Sequence, residues 1–328
     1  MNEDRIVSPT SGQQHHSIVK QIEKGTTRGV TRVISFTGGK GGTGKTTLVV
    51  NVAQALARQG RRVLLFDADF GLANVDILLG IRPQRTLHDY LVGEATLEEI
   101  LIPGPEGITV IPASSGIEMM GALSGEQRLQ LLHGIEAIAG EYDYLLIDTQ
   151  AGIGPDVMYF NAASSEVVIV MTPEPTSLTD AYSLIKVLAS NYGEKRIAVI
   201  MNNVSGLDQA NSSVERQNAP GQSMPRSRSQ LLEDAANRAF LRLQRAVERF
   251  LQLELRLIGF VPTDPAVAEA VRQQQAVLTL FPSSSAARSI AGIAERIDSE
   301  FFEQRIKGGM QFFFQQLLTM NEYGEGAR

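Results

Sequence analysis

The chain contains no cysteine among its 328 residues, which removes disulfide frameworks, iron–sulfur clusters, thiolate zinc sites and cysteine nucleophiles together. It has no continuous apolar run approaching the ~18 residues of a membrane span, and residues 1–30 hold no apolar core of the signal-peptide kind. These absences predict a cytoplasmic protein whose contact with a membrane is peripheral. A surplus of positive charge is missing as well. The 30 Lys+Arg stand against 36 Asp+Glu, a formal net charge of -6, whereas a generic nucleic-acid binder is basic, so DNA is not an expected partner. The histidines His15, His16, His88 and His133 show no metal-ligand spacing beyond one adjacent pair in a polar arm.

What is present is an ordinary globular composition, 43% hydrophobic and 20% charged. At roughly 150 residues per domain the length suits about two domains, but α/β folds often run longer as one, so one large domain with appendages is expected. We expect a polar N-terminal arm over 1–30, the α/β domain over 31–303 with a loop insert at 205–230, and a helix and tail over 304–328. Short apolar runs at Val33 to Phe36, Val63 to Phe66, Ile108 to Ile111, Tyr144 to Ile147, Val167 to Met171, Ile197 to Met201 and Leu255 to Val261 alternate with segments of helical period. That alternation predicts a doubly wound, mainly parallel sheet with helices on both faces. The insert is rich in Ser, Asn, Gln, Pro and Gly and loses the apolar period. After it, Leu232, Ala236, Phe240, Leu243, Val247 and Phe250 restore a helical stripe.

The segment Gly39-Lys40-Gly41-Gly42-Thr43-Gly44-Lys45-Thr46-Thr47 has P-loop spacing and lies between the strand Val33 to Phe36 and an Ala/Leu-rich helix. Its glycines let successive backbone N–H groups converge on phosphate oxygens, and the helix N-terminus adds partial positive charge. Lys45 is placed to reach the β and γ phosphates, and the Thr46 hydroxyl to meet Mg²⁺. Asp148 closes the apolar strand Tyr144 to Ile147, and a carboxylate at such a strand end faces the ligand crevice, where it serves the metal; the alternative is a solvated loop acid. A third acidic cluster, Asp67-Ala68-Asp69, again follows a strand. One of its carboxylates can orient or deprotonate an attacking water, and spacing alone does not choose between them.

Lys40 narrows the class, because an ordinary P-loop does not demand a lysine just after its first glycine. The string resembles the deviant Walker A motif KGGxGKT[TS] of the MinD/ParA group of ATPases. The resemblance implies ATP and Mg²⁺ as ligands and an ATP-dependent sandwich homodimer in which Lys40 acts on the partner's nucleotide. Phe66-Asp67-Ala68-Asp69-Phe70-Gly71-Leu72-Ala73-Asn74-Val75-Asp76 is similar to that group's first switch, which makes Asp69 the hydrolytic acid and Asp67 its neighbour. Asp148-Thr149-Gln150-Ala151-Gly152-Ile153 is similar to the second switch, DxxAG, with Gln150 a departure where small residues or Pro are usual. By the same resemblance Asn202 contacts adenine, and Pro262 and Asp264 border the base. Within the group, Val247 to Leu251, Ala270 to Gln274, Phe281-Pro282 and Ala286 to Arg288 look most like the FlhG (FleN or YlxH) branch. The resemblance covers roughly 32–296 and implies a regulator of flagellar number or placement that pairs with the GTPase FlhF and with basal-body or transcriptional proteins. Only Lys20-Gln21-Ile22-Glu23-Lys24 stands loosely where that branch carries its GTPase-activating DQAxxLR segment.

Met310, Phe313, Phe314, Leu317 and Leu318 fall at i, i+3, i+4, i+7 and i+8, with Gln311, Gln315, Gln316 and Thr319 on the other side. This predicts an amphipathic helix, read as a membrane-surface anchor after the hinge Gly308-Gly309, with docking on the protein itself as the alternative. Competing readings are a MinD-type division-site ATPase, a ParA-type DNA-partition ATPase, and a metabolic enzyme using this P-loop. The charge of -6 counts against the second, and no second substrate constellation supports the third.

Overall fold

The computed structural model describes residues 31–71, 73–113, 123–194, 196–205 and 227–303. The N-terminal arm, most of the insert, and the amphipathic stretch from Met310 to Leu318 lie outside the described residues. In chain order the strands are β1 (Arg32–Thr37), β2 (Val63–Ala68), β3 (Ile102–Pro103), β4 (Thr109–Ile111), β5 (Tyr144–Thr149), β6 (Glu166–Met171), β7 (Ile197–Val204) and β8 (Arg256–Pro262). The helices are α1 (Lys45–Arg58), α2 (Val75–Leu79), α3 (Leu87–Leu91), α4 (Leu97–Ile100), α5 (Gly125–Ala139), α6 (Pro155–Ala163), α7 (Pro175–Tyr192), α8 (Arg228–Leu251), α9 (Pro265–Arg272), α10 (Val277–Leu280) and α11 (Ser285–Glu303).

The strands form one eight-stranded sheet in the order β3-β4-β2-β5-β1-β6-β7-β8. Every pairing is parallel except β3 with β4. Side chains on successive residues leave opposite faces, so each strand feeds two cores. Ile34 and Phe36 of β1, with Leu65, Leu146 and Val168, pack under α1 and α11. Val33, Leu64, Phe66, Leu145 and Ile147 face α5 and α6, and Val167, Ile169 and Val199 face α7 and α8. The doubly wound, mainly parallel architecture expected from the alternation is therefore present. The one strand not anticipated, β3, has two residues and carries no periodicity to detect.

Helix α8 begins at Arg228, inside the segment expected to be loop to 230. A capping box sets the start: the Ser227 hydroxyl accepts from Gln230 N–H at 3.3 Å, and Gln230 Oε1 accepts from Ser227 N–H at 2.9 Å. Of its expected apolar stripe, Ala236, Leu243 and Val247 are buried, but Phe250 is 64% exposed, one residue before the helix ends at Leu251.

Candidate nucleotide site

The central strand β1 runs into the glycine loop at Gly38, and the loop returns into α1 at Lys45. Gly44 stands at the N-cap with φ 78 and ψ 22, and no side chain caps the helix. The first-turn N–H groups are thus left for a ligand, the condition that makes a helix N-terminus bind phosphate. Two glycines are required by space. A Cβ on Gly39 would lie 2.3 Å from the backbone carbon of Asp180 in α7, and one on Gly44 would lie 2.4 Å from Asn202 Nδ2.

The strand ends beside the loop bring the predicted acids together. Asp67 on β2 and Asp148 on β5 are direct register partners, buried to 1% and 0% exposure. Lys45 Nζ pairs with Asp148 Oδ1 inside the protein. Burial pushes the Asp148 pKa up, and Lys45, with a smaller contribution from the Thr46 hydroxyl, opposes that rise. Asp148 Oδ2 is buried with no hydrogen-bond partner, so this carboxylate keeps one oxygen for a further ligand. Asp67 is pushed up to about 7 by burial and by the charge of Asp148. Against this rise, its carboxylate accepts from the backbone N–H groups of Asp69 at 3.1 Å and of Asn74 and Val75 at 3.2 Å each. The loop after β2 is wrapped around one carboxylate, which makes Asp67 the anchor and leaves Asp69, partly exposed, on the rim.

Switch II is tied to the P-loop. Gly152 N–H donates to Gly38 carbonyl at 2.8 Å, and Thr149 Oγ1 donates to Phe36 carbonyl at 3.1 Å. Lys40 is turned away from this cluster. Its Nζ reaches Glu174 Oε2 at 3.1 Å and Thr176 Oγ1 at 2.9 Å, at the start of α7. Neither partner, nor Asp180 behind Gly39, carries a signal in the sequence beyond standing after an apolar strand.

Asn202, Pro262 and Asp264 stand at the adjacent ends of β7 and β8. The β7–β8 register shifts between Met201 and Val204, and this irregularity accompanies the turn of Asn202 inward. Its Nδ2 donates to Thr43 carbonyl at 2.7 Å, a tether to the P-loop that the sequence did not signal. Pro262 pairs with Val204. Asp264 caps two helices: Oδ1 accepts from Ala266 N–H at 3.0 Å, and Oδ2 accepts from Ser285 Oγ at 2.7 Å and Ala286 N–H at 3.0 Å. Burial works against its ionisation, but those donors outweigh it and hold its pKa below the usual carboxylate range. The side chain of Asp264 is therefore committed to the caps of α9 and α11.

Comparison with known proteins agrees with this geometry. The AAA domain family matches residues 31–199. The antiactivator FleN of Pseudomonas aeruginosa is 40% identical over 287 residues, covering 88% of this chain and 93% of FleN. The flagellum site-determining protein YlxH of Helicobacter pylori is 32% identical over 294 residues, 89% of this chain and 91% of YlxH. Among solved structures, the septum site-determining protein MinD of Pyrococcus horikoshii, complexed with Mg-ADP, superposes with a TM-score of 0.60 at 27% identity, covering 84% of this chain and 100% of MinD. A complete P-loop with the additional Lys40, two acidic switch segments and relatives matched nearly end to end place the chain in the AAA domain family, as an FlhG-like member of the MinD/ParA ATPases.

Proposed function

We propose that this chain is an ATP-dependent dimerising switch that regulates flagellar number and placement at the inner face of the cell membrane. The observation that carries the reading is the 40% identity to the antiactivator FleN, which extends over 93% of that protein.

ATP is the substrate, held by the main chain of Gly39 to Thr47 and by Lys45, with Asn202 and Pro262 beside the base and Asp264 supporting that wall through its caps. The residues fit Mg²⁺, because the Asp148 carboxylate keeps a buried, unpartnered oxygen beside Thr46. Such an ion keeps most of its waters, uses few protein ligands and neutralises phosphate charge when bound. Asp69 activates the attacking water. Lys40 acts across the dimer, and for this it must leave Glu174 and Thr176. Lys40 and Glu174 are 31% and 66% exposed, so their ion pair contributes at most about 1 kcal/mol and is an easily broken resting contact. Ile153 of switch II, 54% exposed, offers apolar surface to a partner.

Among the described residues no helix is long and apolar enough to cross a membrane. Membrane contact is assigned to Met310, Phe313, Phe314, Leu317 and Leu318, and output to a flagellar GTPase of the FlhF kind and to basal-body or transcriptional proteins. A DNA-partition role has one observation in its favour. Arg238, Arg242, Arg245 and Arg249 form an exposed stripe along α8 at i, i+4, i+7 and i+11, a local basic face on an acidic protein. Duplex-DNA binding that weakens steeply with salt would support that second reading.

The deciding experiment deletes the gene and counts flagella and cell lengths by electron microscopy. Extra or misplaced flagella with normal division are expected. Normal flagella with minicells or lost plasmids would overturn the flagellar reading. At the protein level, Lys40→Ala should lose ATP-dependent dimerisation and hydrolysis together, while Asp69→Ala should accumulate the ATP dimer.

A further inference from the structure

We propose that Gln150 is a positioning residue for hydrolysis, its carboxamide joining the second switch to the first beside Asp69. The inference rests on the ATPase reading and concerns the side chain that the MinD/ParA resemblance left without a role.

The geometry fixes the two ends of this contact independently. On the switch II side, Thr149 Oγ1 reaches both Phe36 carbonyl at 3.1 Å and the Gln150 carbonyl at 3.2 Å, and Gly152 N–H is bonded to Gly38. The backbone is therefore held on both sides of Gln150. On the switch I side, the Asp67 carboxylate gathers the N–H groups of Asp69, Asn74 and Val75, which leaves Gly71 on the outer edge of the loop, exposed. Between these roots the Gln150 side chain crosses the gap. A methyl group built on Gly71 would lie 3.3 Å from Gln150 Nε2 and 3.8 Å from Asp69 Oδ1. The carboxamide and the Asp69 carboxylate thus converge on the same point, and that point is open only because residue 71 has no side chain.

A carboxamide offers both a donor and an acceptor without charge. Beside a carboxylate it can take one hydrogen bond of a water while the acid takes another, the way P-loop enzymes of other lineages use a glutamine to orient the attacking water. Gln150 makes no side-chain hydrogen bond to the protein among the described residues, so both capacities are available to water. A small residue at 150 would leave the gap between the switches unbridged.

The test uses the full chain with ATP and Mg²⁺, and its controls are Mg²⁺-dependent hydrolysis by the wild type and its loss in Lys45→Ala. If those controls fail, the ATPase reading fails rather than this one. With them in place, Gln150→Ala should lower kcat at least about tenfold, with KM for ATP and ATP-dependent dimerisation changed less than twofold. Gln150→Met keeps the length of the side chain and removes the amide, and should be as slow as Ala. Gly71→Ala, which crowds Nε2, should slow hydrolysis less than Gln150→Ala. In the double variant it should add no further loss, because both changes remove one contact. Independently of catalysis, hydrogen exchange at the amides of residues 69–75 without nucleotide should be faster in Gln150→Ala. Wild-type kcat in Gln150→Met, multiplicative losses in the double variant, or a KM that rises in step with the fall in kcat would each overturn the proposal.

Discussion

The buried pair Lys45–Asp148 makes a prediction about the protein without any ligand. Replacing Lys45 by Met preserves the length and shape of the side chain but strands Asp148 next to Asp67 at the centre of the sheet. The Lys45 and Asp148 side chains are 8% and 1% exposed, so solvent screens little of the loss. Removing one partner of such a pair costs about 3–5 kcal/mol, and at about 2 °C per kcal/mol for a chain of this size the midpoint should fall by roughly 6–10 °C. The sign of the pH dependence follows from Asp148. Lys45 lowers its pKa, so in Lys45→Met the folded-state pKa rises further above the unfolded value. A raised carboxylate stabilises the fold below the unfolded pKa and loses that contribution as pH climbs through the folded one. The deficit should therefore be smallest near pH 5.5 and largest near pH 8.5. Urea unfolding followed by circular dichroism, in EDTA and without nucleotide, measures it, and Lys45→Met/Asp148→Leu should recover most of the stability. A variant that unfolds with the wild type at pH 8.5, or whose deficit grows toward acid, would refute the argument.

Two further predictions rest on contacts described above. Asn202→Ala leaves Thr43 carbonyl without its donor, at about 1–3 kcal/mol for a buried unpaired group, and should weaken ADP and GDP alike by about tenfold in titration calorimetry; a loss confined to ADP would mean that Asn202 works through the base instead of the loop. Glu166, partly buried at the start of β6 and paired with Arg256 at 3.0 Å, is pushed up to about 7 by burial against the pull of Arg256 and Arg196. The wild type should thus lose up to about 3 kcal/mol as pH rises from about 4.5 through 7. Glu166→Gln should be stabilised relative to it at pH 8.5 compared with pH 5, and an unchanged difference in melting temperature across that range would contradict the burial argument.

How legible the molecule was in its sequence depends on whether the cause is local. The parallel strands were visible because their residues are buried on both faces and read as apolar runs, as at Val167 to Met171. The phosphate loop was visible because its chemistry is main-chain, and only glycines at fixed spacing permit it. Asp148 was visible as the polar end of an apolar strand. What stayed hidden involves partners distant in sequence. Lys40 finds Glu174 and Thr176 through the packing of α7 beside the loop, and Gly39 is confined by the backbone at Asp180. The carboxylate of Asp264 is occupied by helix caps at residues 266, 285 and 286, the last two distant in sequence. Phe250 fits the apolar period of α8 but is exposed, because the core contact after Val247 is taken four residues on by Leu251 instead of three residues on by Phe250.

The arrangement of charge explains why this site should require a cation with its nucleotide. Asp148 pairs with the one buried ammonium, Lys45, and stands opposite Asp67 in the sheet, while the second lysine, Lys40, is held outside by Glu174. The charge of Asp148 adds to burial in raising Asp67. A polyphosphate entering alone would draw Lys45 toward itself and leave two adjacent buried carboxylates uncompensated, at the cost worked out for Lys45→Met. When positive charge enters with the phosphates, Asp148 loses an ammonium and gains a counter-ion, and no carboxylate is stranded. On the ATPase reading proposed above, nucleotide and cation binding would be coupled through the same pair that stabilises the fold. Asp69, partly exposed on a loop anchored by Asp67, borders that exchange: its backbone N–H donates to Asp67 and its charge adds to the rise of the Asp148 pKa. The buried pair thus carries the charge balance of the site, and Asp69 lies at its rim, where Gln150 and Gly71 meet.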